Sequence, residues 1–224
     1  MEKVKIGAVT VGQAPRVDVT ADILPLLGHC QLLERGGLDG LTRQEISAFA
    51  PEPGDYVLVS RLADGSSVTF AEKHVLPRMQ RAVEDLQAQG CRLILFFCTG
   101  DFPDVFRADV PLIFPNRILQ GVAPALTASG KIGVVTPSPL QLEQSKRKWE
   151  KYVPQAQVVA ASPYEGLEGI RQAARQMAQT DCDLILLDCI GYTIEMKQIF
   201  AQATGKNVLL SRTLLARVAA ELAG

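Results

Sequence analysis

Histidine, net charge and long apolar runs are all in short supply in this sequence. Only His29 and His74 are present among 224 residues. Neither falls at a zinc-like spacing from a cysteine, so no metal is expected. The formal net charge is −1, which supplies no general attraction to nucleic acid or to an anionic membrane surface. No apolar run approaches the ~20 residues that span a bilayer. Neither a Walker-type loop nor Gly-x-Gly-x-x-Gly occurs, which argues against a phosphate- or dinucleotide-binding enzyme. The five cysteines are an odd number, without the density of a disulfide scaffold. Met1-Glu2-Lys3 leads directly into a strand, with no signal-peptide pattern. A cytoplasmic protein with reduced thiols is the expectation. No linker rich in glycine, serine or proline divides the chain, so two lobes would have to pack tightly.

What is present is a repeat. Cys91-Arg92-Leu93-Ile94-Leu95-Phe96-Phe97-Cys98-Thr99-Gly100 and Cys182-Asp183-Leu184-Ile185-Leu186-Leu187-Asp188-Cys189-Ile190-Gly191 share the pattern Cys-x-Leu-Ile-Leu-x-x-Cys-x-Gly. A short apolar run closed by polar and glycine signals reads as a buried strand of a parallel sheet. Its second cysteine falls at the carboxyl end, where open α/β sheets bind ligands. A second pair supports duplication: Lys5-Ile6-Gly7-Ala8-Val9-Thr10 and Lys131-Ile132-Gly133-Val134-Val135-Thr136. Each half then has an opening strand ending in threonine and a later strand ending in cysteine.

Strands alternate with helical segments along almost the whole chain, the α/β pattern of parallel sheets covered by helices. The first strand, about residues 4–11, leads through Gly12-Gln13-Ala14-Pro15-Arg16 into a helix. Thr42-Arg43-Gln44-Glu45 is a capping box, with Leu41 placed to staple against Ile46. Residues 56–61 and 68–70 flank the turn signal Asp64-Gly65. A helix over about 72–89 contains Pro77, which implies a kink or a later start. Ser138-Pro139 reads as N-cap and first helical position of a helix running to about residue 152.

Five segments carry a family resemblance: Gly12-Gln13-Ala14-Pro15-Arg16, Ser60-Arg61-Leu62, Cys98-Thr99-Gly100, Asp188-Cys189-Ile190-Gly191-Tyr192-Thr193 and Ser211-Arg212-Thr213-Leu214. Through them the chain resembles the AroM family over nearly its full length. More loosely, through two cysteines and the lobe pattern, it resembles the aspartate/glutamate racemase superfamily. The resemblance implies two similar α/β lobes related by a pseudo-twofold axis, with a cleft between them. It assigns residues 1–115 plus 207–224 to one lobe and 116–206 to the other. It also implies a link to aromatic amino-acid biosynthesis and a homodimer. The cysteine loops depart from those of amino-acid racemases, where Asn-Thr and Thr follow the two cysteines. Thr99-Gly100 and Ile190-Gly191-Tyr192-Thr193 stand there instead, the second being nearer to hydantoin racemases.

Two thiols on opposed lobes suit proton removal from one face of a carbon and proton return to the other. A cysteine has pKa about 8.5, and local surroundings can bring it into the useful range. Cys98 and Cys189 are the candidate acid and base, with no cofactor required. Arg16 and Arg61 are candidates for gripping a carboxylate. Thr10, Gln13, Thr99, Gly100, Thr136, Ser138, Tyr192 and Thr193 are candidate substrate contacts. Cys91 and Cys182, at the other strand ends, read as packing residues. The expected function is a racemase, epimerase or isomerase acting on a small anionic or polar metabolite, a carboxylate or hydantoin-like compound. A decarboxylase is a close variant. The alternative is a non-catalytic metabolite-binding or regulatory protein.

Overall fold

The computed structural model describes residues 3–224; Met1 and Glu2, the start of the expected first lobe, lie outside the described residues. The chain forms two compact units, Met1–Pro115 with Leu215–Gly224, and Asn116–Leu214.

In the first unit, β1 (Val4–Thr10), α1 (Val17–Ile23) and β2 (Cys30–Gly36) are followed by the short α2 (Arg43–Ser47). The antiparallel ribbon β3 (Val57–Arg61) and β4 (Ser67–Ala71) comes next, then α3 (Leu76–Ala88), β5 (Ile94–Phe97) and β6 (Leu112–Ile113). Four strands form a parallel sheet in the order β2-β1-β5-β6. The capping box forms: Thr42 accepts from the Glu45 amide, and the Glu45 carboxylate accepts from the Thr42 amide. Pro77 sits in the first turn of α3, so the helix starts late rather than kinking; a missing N–H costs nothing there.

The second unit repeats the plan. It contains α4 (Pro115–Leu126, from Asn116), β7 (Lys131–Thr136), α5 (Leu142–Trp149), β8 (Gln155–Ala160) and α6 (Glu168–Ala178). It continues through β9 (Leu184–Leu187), α7 (Ile194–Thr204), β10 (Asn207–Leu210) and the start of α8 (Ser211–Ala223). Its parallel sheet has the order β8-β7-β9-β10, which matches the first sheet strand for strand. The register matches as well: Gly7 pairs with Ile94 in one sheet, and Gly133 with Ile185 in the other. These glycines allow a helix to lie close. A Cβ on Gly7 would meet Leu86 of α3 at 3.1 Å, and one on Gly133 would meet Met177 Sδ of α6 at 2.5 Å.

The boundary expectation differs from the structure at residues 207–214. Asn207 pairs with Leu184 and Leu210 with Leu187, so β10 extends the second sheet. Gly205, at φ +66°, ends α7 in the left-handed conformation and turns the chain straight into that strand. The hand-over to the first unit falls inside α8, at Leu215.

Apolar side chains from both faces of each sheet are buried. In the first unit Val9, Ile94, Phe96 and Cys98 pack with Leu58, Phe70, Met79 and Leu86. In the second, Ile185, Leu187 and Cys189 join Tyr192 and Phe200 on one face. Leu184 and Leu186 join Trp149 and Leu119 on the other. Among the described residues no helix is long and apolar enough to cross a membrane.

Candidate active site

The two repeated cysteines occupy the same place in their units. Cys98 follows the last residue of β5, and Cys189 lies two residues after the end of β9. Both are buried. Each sulfur accepts the amide of the residue two positions on: Gly100 N–H to Cys98 Sγ at 3.4 Å, and Gly191 N–H to Cys189 Sγ at 3.4 Å. In both turns the glycine N–H is committed to the sulfur. Close approach requires glycine at 191 and only favours it at 100. A Cβ on Gly191 would lie 2.5 Å from Tyr164 Oη, and one on Gly100 would lie 3.2 Å from Leu58 Cδ2.

In the first unit the loops at the carboxyl strand ends are braced around buried Arg16. Its Nε and Nη2 donate to the two Asp18 oxygens at 2.9 and 2.8 Å. Its Nη1 reaches Thr10 Oγ1 and Ser60 Oγ, each at 3.3 Å. Its amide donates to Glu34 Oε2 at 2.8 Å, and burial of Glu34 raises that carboxyl despite this bond. Most of the guanidinium fork is therefore engaged within the fold. Arg61 is more exposed, with Nε on Gly65 O at 2.9 Å and Nη1 4.0 Å from Asp18. Gln13 uses its whole amide as a brace. It donates to Leu38 O and Leu41 O and accepts from the Ala63 amide at 2.8 Å. Thr10 pairs with Phe97, directly before Cys98, and Thr99 is buried.

The segment 98–111 has no helix or strand, but four phenylalanines anchor it. Phe96 and Phe114 stack at 4.1 Å between ring centroids, with Phe102 and Phe106 packed around them. The Asp101 amide donates to Tyr56 Oη at 2.9 Å. Beside it lies Glu72, buried, with Oε1 lacking a hydrogen-bond partner among the described residues. Burial, reinforced by nearby Asp101, pushes the Glu72 carboxyl up to about 7.

In the second unit Thr136 ends β7 and is buried. Ser138 caps a short 3-10 turn over Pro139–Gln141, and α5 proper begins only at Leu142. Thr193 caps α7, accepting from the Met196 amide at 3.2 Å. The Tyr192 hydroxyl is committed to the fold. It donates to Ala161 O at 2.7 Å, and burial holds the phenol well above its ordinary pKa. Beneath Cys189, Asp188 receives Lys148 Nζ on both oxygens, at 3.0 and 2.7 Å, and Trp149 Nε1 at 2.7 Å. Ser211 Oγ donates to Cys189 O and Arg212 Nε to Ile190 O, both at 2.8 Å. The sequence carried a signal for several of these residues: Asp188, Ser211 and Arg212 lie in segments that resemble the AroM family. Their roles needed the partners. Cys91 and Cys182 are buried at the opposite strand ends, and burial raises the Cys91 thiol. Among the described residues no disulfide forms, and no group of three or more His, Cys, Asp or Glu is placed to hold a metal ion.

The sequence matches the AroM protein family over residues 6–223. The chain belongs to the AroM family. A search of curated proteins finds no match. Among solved structures, allantoin racemase from Klebsiella pneumoniae is 14% identical, with 98% of this chain and 87% of that one covered and a TM-score of 0.67. Glutamate racemase isoform RacE1 from Bacillus anthracis is 14% identical, covering 98% and 81%, with a TM-score of 0.61. Unliganded arylmalonate decarboxylase is 14% identical, covering 99% and 93%, with a TM-score of 0.63. At these identities the likeness is one of fold: this AroM protein has the α/β fold of the racemase superfamily, with parallel sheets flanked by helices.

Proposed function

We propose that this AroM protein is a cofactor-independent racemase, epimerase or isomerase, with Cys98 and Cys189 as its opposed acid and base. The substrate is a small carboxylate or hydantoin-like compound. One thiolate takes the hydrogen of the carbon beside the carbonyl as a proton, and the C–H electron pair passes into an enolate. The opposite thiol returns a proton to the other face. No electron is gained or lost, and the two sulfurs exchange protonation states over the reaction. Thr10, Arg61 and Thr99 from one unit, and Thr136, Ser138 and Thr193 from the other, are the proposed substrate contacts. Arg16, Gln13 and Tyr192 are proposed to frame the site. We place the protein in a reducing cytoplasm, as a homodimer.

The observation that carries this reading is the duplicated thiol turn. The same Sγ···H–N contact of 3.4 Å occurs at the carboxyl end of the equivalent strand in each unit. A packing cysteine would have no reason to keep the i+2 amide and the following glycine twice. The structural neighbours add the precedent that this fold hosts racemases and a decarboxylase.

The test is solvent exchange. The protein is incubated in heavy water with amino acids, hydantoins and α-substituted acids, and deuterium gained at the α-carbon is read by mass spectrometry. Exchange on one class of compound is expected, falling at least about 100-fold in both Cys98→Ala and Cys189→Ala, the scale of a lost acid or base. Exchange that survives in both variants would remove the assignment. Ligand binding without exchange for any compound would favour a metabolite-binding protein instead.

A further inference from the structure

The two thiols share a turn but not what lies behind it. Residues alternate across β9: Leu184 and Leu186 join the cluster around Trp149, whereas Ile185, Leu187 and Cys189 join the opposite one. Continuing that alternation, Asp188 points to the Trp149 side and Cys189 to the other. Lys148 and Asp188 are each about 5% exposed, and the ammonium is bound to both carboxylate oxygens. At the matching position before Cys98 stands Phe97, 1% exposed. A buried charge pair costs desolvation that apolar residues in its place would avoid. Such a pair one residue from a candidate catalytic sulfur is therefore a device to be explained.

We propose that the Lys148–Asp188 pair is a positioning device that sets the proton affinity of Cys189 and makes it unequal to that of Cys98. The carboxylate is one residue from the sulfur along the chain, and the ammonium balances it from α5. Taking away the ammonium leaves an unbalanced buried carboxylate on the residue before Cys189, on the other face of the strand, and strengthens the thiol's hold on its proton. Taking away the carboxylate leaves a buried positive charge and weakens that hold. Tyr192, Arg212 and Tyr164 are further titratable or charged groups around the loop. Tyr192 donates to Ala161 O, Arg212 donates to Ile190 O, and Tyr164 lies against Gly191. Trp149 fixes the carboxylate from the remaining side. The inference takes its functional meaning from the proposed proton transfer, but its test does not depend on turnover.

The experiment is iodoacetamide alkylation of the folded full chain as a function of pH, resolved by peptide mass spectrometry so that Cys98 and Cys189 are read separately. Lys148→Gln should move the Cys189 midpoint up, and Asp188→Asn should move it down, each by about one pH unit. The double variant should return it close to the unsubstituted value, and Cys98 should stay fixed throughout as the internal control. A structural role alone would change unfolding without opposite shifts at one thiol. Midpoints that stay put in both single variants, or that move in the same direction, would overturn the proposal. Should the single variants fail to fold, Trp149→Phe removes one hydrogen bond from the carboxylate and leaves both charges. It should raise the Cys189 midpoint by a few tenths of a unit, and an unchanged midpoint there would equally overturn the proposal.

Discussion

The two units agree in strand order, in the register of the cysteine strand against the opening strand, and in the amide that meets each sulfur. They differ in almost everything placed around that frame. The first unit adds α2 and the β3–β4 ribbon, whose Ser60 and Arg61 stand with Arg16 and Asp18 at the strand ends. Its cysteine follows a phenylalanine and precedes a loop pinned by aromatic rings. The second has no ribbon, and its cysteine follows a carboxylate locked to a lysine and an indole. The difference separates two requirements. What is duplicated is what a reactive thiol needs: a strand end, a turn and an N–H. What has diverged is what would make two such thiols unequal in their hold on a proton.

The comparison can be broken at the glycines of the two turns. Gly191→Ala brings a methyl group onto Tyr164 and Pro163, with contacts of 2.5 to 2.9 Å, and should destabilise the protein by about 1–3 kcal/mol. Gly100→Ala meets its neighbours at 3.2 Å or more and should cost less than about 1 kcal/mol. Urea unfolding of both variants checks this. Equal losses would mean that the two turns are not packed as described.

A smaller effect belongs to the first unit alone. The Glu72 carboxyl is raised from 4.5 to about 7. The folded state therefore holds this proton more tightly than the unfolded state, and the resulting stability is present at low pH. It is lost as pH rises from about 4.5 through about 7. Allowing for partial solvent screening, the loss should be on the order of 1–2 kcal/mol, and Glu72→Gln should abolish it. Unfolding midpoints of the two proteins measured across that range should diverge; parallel curves would show that Glu72 ionises normally.

Much of the frame was legible in the sequence because it is written locally. The Cys-x-Leu-Ile-Leu-x-x-Cys-x-Gly repeat and the paired Lys-Ile-Gly-x-Val-Thr strands marked the duplication and the strand ends; the register came only from the pairing. Thr42 and Glu45 gave a helix start from four adjacent residues. Partnerships made in space were not legible. Lys148 and Asp188 lie 40 positions apart, and nothing in either segment names the other. Nor does the sequence around Asp18 announce that its carboxylate accepts from Arg16 two residues before it. The end of the chain was misplaced for a related reason. A short apolar strand such as Asn207–Leu210 does not declare its sheet, and only its pairing with β9 does so. Tyr192 likewise reads as an available hydroxyl until its bond to Ala161 O is seen.

The central claim is that the two equivalent thiols serve one carbon from opposite sides. With reacting atoms about 3.5 Å from each sulfur, that requires sulfurs on the order of 7 Å apart. The most direct measurement is cross-linking of the native protein with a bifunctional thiol reagent of that span, followed by peptide mass spectrometry. The account predicts a Cys98–Cys189 linked peptide in excess of any link to Cys30, Cys91 or Cys182. Both cysteines modified, each by its own reagent molecule and never joined, would contradict it.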